Sequence, residues 1–72
     1  MTFEELEIQV DKNIAYTQKD LADSPRSALI HLNRGIGYVQ AVGEMMNFST
    51  IALEVKLENA MAKLRHEHPD LT

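Results

Sequence analysis

Two prolines, Pro25 and Pro69, frame the longest stretch of this chain that nothing in its sequence compels to break. Proline disfavours helical geometry in the residue before it but suits the first position of a helix. One helix must therefore stop ahead of Asp23-Ser24-Pro25, and another can start there with Ser24 as its N-cap. On the N-terminal side, Phe3, Leu6, Val10, Ile14, Thr17 and Leu21 recur at steps of three and four, the spacing that lines one face of a helix. Ile8, Ala15 and Ala22 would widen that face. Thr2 and Glu5 have the spacing of a capping box, and the acids Glu4, Glu5, Glu7 and Asp11 precede Lys12 and Lys19, as the helix dipole favours. The pattern predicts a first helix over about 3–22. The short connection that follows favours antiparallel packing of its neighbours.

Beyond Pro25 the apolar positions keep a seven-residue beat: Leu29, Leu32, Ile36, Val39, Gly43 and Met46, then Thr50, Leu53, Leu57, Ala60 and Leu64. Taken literally, this is one long helix with a coiled-coil seam, weakened at Gly43 and Thr50. The rival reading breaks the chain near Asn47. Ser49 would then cap a third helix, and Phe48 would staple onto Leu53. The break is the favoured reading, with helices of about 25–45 and 49–67 and a frayed tail over 68–72. The expected fold is a single all-α domain: a small bundle of three helices, or a helical hairpin with one long second helix.

The segment Ser27–Gly43 carries one formal charge, Arg34, so its helix should be covered on more than one side. It also holds all three glycines, Gly35, Gly37 and Gly43, each costing about 1 kcal/mol against alanine inside a helix. Close approach of another helix would offset that cost. Met45, Met46 and Phe48 add an adaptable apolar cluster, and Tyr16 and Tyr38 combine an apolar body with a polar tip. The expected interaction surface, between helices or toward a partner, comprises Leu29, Leu32, Ile36, Gly37, Val39, Gly43 and Met46, with Phe48, Leu53 and Leu57 beyond the break.

At 72 residues and without cysteine, the chain has no disulfide to strengthen its fold. Below roughly 70–80 residues one core seldom supplies more than about 3–5 kcal/mol, so dimerisation is expected to complete the bundle. Seven basic residues against eleven acidic ones give a net charge of −4, the wrong sign for broad phosphate contact. Residues 42–53 loosely follow a helix-turn-helix pattern, but Glu54 and Glu58 on the would-be recognition helix oppose DNA. No apolar run reaches the ~20 residues that span a bilayer, and the acidic N-terminus is unlike a signal peptide. The cytoplasm is the expected compartment.

Catalytic and metal chemistry find little support. His66 and His68 stand two apart, and helix positions at that spacing point about 200° from one another. No nucleophile with a neighbouring base, phosphate-binding loop or ligand set can be argued, so neither enzyme activity nor a cofactor is expected. The leading functional expectation is a small self-associating interaction module, a homodimer that acts as adaptor or regulator of a larger protein. The alternative is an acidic inhibitor or antidote that occupies a basic site on an enzyme or DNA-binding protein, using the Glu4, Glu7 and Asp11 face. A helix-turn-helix-like DNA-binding module ranks third.

Overall fold

Thr2 and Glu5 start the first helix as the sequence predicts. The Glu5 backbone N–H donates to the Thr2 hydroxyl at 3.1 Å, and the Thr2 N–H donates to the Glu5 carboxylate at 2.9 Å. That bond to the Thr2 N–H holds the Glu5 carboxyl below its ordinary value. In the computed structural model, which describes residues 1–71, α1 spans Phe3–Lys19, α2 Pro25–Met46 and α3 Ile51–Glu67. No strand occurs among the described residues. The protein is a small all-α three-helix bundle.

α1 stops earlier than the predicted residue 22. Asp20 and Leu21 both donate backbone N–H bonds to the Tyr16 carbonyl, and Ser24 N–H then bonds the Leu21 carbonyl. This tight turn delivers Pro25 to the first position of α2. Ser24 occupies the N-cap, but its side chain makes no capping bond. Its carbonyl instead accepts from Ala28 N–H at 2.9 Å.

The break near Asn47 is present. Asn47 lies in the left-handed region at φ 58° and ψ 47°, and the N–H groups of Asn47 and Phe48 both bond the Gly43 carbonyl. Asparagine is the residue after glycine that best tolerates this conformation, and such a residue commonly ends a helix. The start of α3 differs from expectation. Its N-cap is Thr50 and not Ser49, whose hydroxyl stands 3.5 Å from the Ile51 N–H. Phe48 packs edge-on to Phe3 of α1, with ring centroids 6.0 Å apart. The aromatic ahead of α3 thus ties the turn to the start of α1.

All three helices supply the core: Leu6 and Val10 from α1, Leu32 and Val39 from α2, and Leu53, Leu57 and Met61 from α3. α2 packs on both of the others and most extensively on α3. The buried line of α2 runs Ala28, Leu32, Gly35, Val39 and Gly43, while Leu29 and Ile36 lie on its flank, half-buried. It is centred on small residues because they let the neighbouring helices approach. Ile8 and Ala15 on α1, and Ala22 in the turn beyond it, are exposed and do not widen the core face. In the tail beyond α3, Leu71 is buried and its N–H bonds the His68 carbonyl at 3.0 Å; Thr72 lies outside the described residues.

Candidate interaction surface

The expected interaction residues divide into three groups. Leu32, Val39, Leu53 and Leu57 are core residues of one chain, at 2% exposure or less. Leu29, Ile36 and Phe48 are half-buried and pack against that core, so their helix-to-helix contacts lie within the chain. Gly43 is also interior: a Cβ there would stand 2.7 Å from the Thr50 methyl and 3.0 Å from the Phe48 carbonyl oxygen. Only Gly37 and Met46 of the set are exposed.

Gly37 departs from the expectation of a close approach within the bundle. A Cβ on it would meet nothing within 4 Å. The glycine that admits a neighbour is Gly35, where a Cβ would stand 2.7 Å from the Asn13 amide nitrogen and 3.5 Å from both Leu57 methyls. Asn13 fills the notch, yet its amide oxygen is buried without a hydrogen-bond partner among the described residues.

Polar ties between helices lie at the rim of the bundle. Lys56 of α3 bridges Asp11 at 2.8 Å and Glu7 at 3.6 Å, both on α1. The Asp11 carboxylate, then Glu7, pushes the Lys56 ammonium above its ordinary value. Gln40 of α2 donates to Glu54 at 2.8 Å, and the Thr50 hydroxyl donates to the other oxygen of the same carboxylate at 2.9 Å. Glu54 is therefore a link between α2 and the start of α3. Tyr38 donates to Gln9 at 3.0 Å, and the Tyr16 ring lies 5.1 Å from that of His31.

With the interior accounted for, the large apolar side chains left in solvent define the surface. On α1 there is Ile8 at 53%, and on α2 there are Ile30 at 49%, Met45 at 82% and Met46 at 42% exposure, with Tyr38 and Ala41 also exposed. On α3 they are Ile51 at 69% and Val55 at 47%, on the side away from Leu53 and Leu57. The scarcity of charge over Ser27–Gly43 predicts that α2 is covered on more than one side, but the expected interaction residues lie mainly on the core-facing seam and leave out Ile30, Ala41, Ile51 and Val55.

An open cleft of about 380 Å³ lies at the other end of the bundle, floored by Leu21, Leu32 and Leu64 and rimmed by Gln18, Lys63 and His68. Among the described residues no group of three or more His, Asp and Glu side chains is placed to hold a metal ion. No helix there is long and apolar enough to cross a membrane. No family model, curated protein or solved structure matches this chain.

Proposed function

We propose that this protein is a small non-enzymatic interaction module of the cytoplasm that self-associates and acts as an adaptor or regulator of a larger protein. One observation carries the reading. Its core is closed by its own three helices, yet α2 and α3 each keep large apolar side chains on their solvent sides. Ile30 and Met45 on one helix, and Ile51 and Val55 on another, are left uncovered by the packing of a single chain. Burying such surface drives association, at roughly 25 cal/mol per Å². Two faces on different helices also suit an adaptor, since one can hold a second copy while the other meets a different protein.

The acidic-inhibitor reading draws less support. Glu7 and Asp11, two of the three carboxylates on which it rests, already share Lys56. An acidic decoy depends on carboxylates free to meet a basic site.

Solution mass by light scattering after size exclusion, at low and high salt, tests the proposal. Self-association that persists at high salt is the expected result, because apolar contact is little screened. A monomer at every accessible concentration would remove the self-association, leaving the exposed faces to other proteins alone.

A further inference from the structure

We propose that the solvent side of α2 takes a second copy of this chain in antiparallel orientation, with Gly37 against the partner's Ala41 and Arg34 paired with the partner's Glu44. This deepens the reading of the protein as a self-associating module and rests on it.

Ile30, Arg34, Gly37, Ala41 and Glu44 are all exposed, and they follow one another at steps of four, three, four and three. That is the spacing of a coiled-coil seam. It runs along the side of α2 opposite Leu32 and Val39, which already face α1 and α3. α2 therefore carries two seams, and its own chain fills one.

Charge selects the occupant and its direction. Arg34 lies five residues before Val39 and Glu44 five after it; Gly37 lies two before and Ala41 two after. A twofold axis beside residue 39 thus sets each arginine against a glutamate and each glycine against an alanine. The surface is self-complementary, as an isologous dimer requires. A parallel pair would instead oppose Arg34 to the partner's Arg34 and Glu44 to the partner's Glu44. The antiparallel pair also opposes the two helix dipoles favourably.

Gly37 acquires a reason in this arrangement. Within the chain it carries the helix cost of glycine, about 1 kcal/mol, with no neighbour that a Cβ would disturb. Against the partner's Ala41 it forms a central layer without bulk, which lets the helix axes approach toward the short end of the usual ~8–10 Å. Ile30 lies nine residues before residue 39 and Phe48 nine after, so Ile30 reaches the partner's turn between α2 and α3. Contact from Ile30 to Met45 covers roughly 22 Å of helix at about 1.5 Å per residue. An interface this short lies at the small end of specific interfaces, so the dimer population should depend on concentration.

Sedimentation equilibrium of the full chain over a concentration series, with circular dichroism as the check on folding, tests the geometry. Gly37→Leu is the sharpest variant, since its new side chain finds open space in the monomer. The expected result is a folded, more heat-stable protein whose dimer is weakened about tenfold or more, equivalent to about 1.4 kcal/mol. Arg34→Glu should weaken the dimer similarly by opposing the partner's Glu44, and Arg34→Glu with Glu44→Arg should restore it. A Gly37→Leu protein that dimerises like the unmodified chain overturns the proposal, as does a charge-swapped double variant no tighter than Arg34→Glu alone. A dimer insensitive to these changes but lost in Val55→Glu would assign self-association to α3 and leave the broader reading intact. An unmodified chain that stays monomeric would overturn this geometry together with the self-association on which it rests.

Discussion

Three glycines in one helix carry three different constraints, and nothing in their immediate sequence tells them apart. At Gly43 an added Cβ would press on the Phe48 carbonyl, which is backbone and cannot swing aside. At Gly35 it would press on the Asn13 amide, the end of a side chain with some freedom to move. At Gly37 it would touch nothing. Alanine scanning in urea should therefore rank the three. Gly43→Ala should cost about 2–3 kcal/mol and Gly35→Ala about 1–2 kcal/mol, the usual range for overpacking. Gly37→Ala, measured in dilute solution, should gain about 0.5–1 kcal/mol from helix propensity. Adding Asn13→Ala to Gly35→Ala should recover part of the loss, because it clears the notch and removes the unpartnered amide oxygen. If Gly43→Ala proves neutral, the tight contact with the Phe48 carbonyl is not as described.

Glu5 supplies a prediction in pH at the same scale. Its folded carboxyl titrates below 4.5, so the unfolded chain binds more protons through that range. The contribution of Glu5 to the start of α1 is present above pH 4.5 and is lost as pH falls through the lowered folded value. Titrating the glutamate side chains by NMR should place Glu5 below its own value in urea. Equal midpoints in the two states would mean that the capping box does not persist in solution.

At the scale of elements, Asn47 decides whether residues 25–67 form one helix or two. The stretch around it, Met45 to Thr50, reads as weakly helical, but a local preference of about 1 kcal/mol does not settle a break on its own. The left-handed conformation at Asn47 and the paired bonds to the Gly43 carbonyl close α2. The Phe3–Phe48 contact then fixes the turn to α1. Asn47→Ala should cost about 1 kcal/mol, the penalty for a Cβ without a local polar partner in that region, while Asn47→Gly should be neutral or mildly stabilising. Thermal melts of the two variants would separate them, and equal melting temperatures would count against the left-handed cap. The limits of α1 were less legible. Leu21 continues the three-and-four spacing, but it is carried by the turn beyond Lys19 and not by the helix. An apolar residue at a helical interval shows that a position faces the core, not that its backbone is helical.

At the scale of the molecule, the interior depends on a few large side chains. Leu6, Leu53 and Leu57 are fully buried, and truncating such a residue typically costs about 2–5 kcal/mol. A domain of this size has only about 3–5 kcal/mol to lose. Leu57→Ala should therefore leave much of the chain unfolded at 25 °C, whereas Val55→Glu, two residues away on the solvent side, should shift stability by less than about 0.5 kcal/mol. Circular dichroism at 25 °C compares them directly. Similar losses in both variants would mean that α3 buries a different face.

The sequence by itself determined the helical class, the stop before Pro25, the capping box and the apolar spacing that makes Leu32, Val39, Leu53 and Leu57 core residues. Each follows from short-range geometry: a proline ring, a hydroxyl three residues from a carboxylate, or side chains repeating every three or four positions. Only the tertiary structure decided that α3 folds back along α2, that Gly35 and not Gly37 meets a neighbour within the chain, and that Ile30, Ala41 and Met45 stay in solvent. Those outcomes depend on which helix lies against which. Ile30, Ala41 and Met45 share the solvent side of α2 with Arg34 and Glu44, and spacing along the chain does not by itself say which surfaces the other helices will cover.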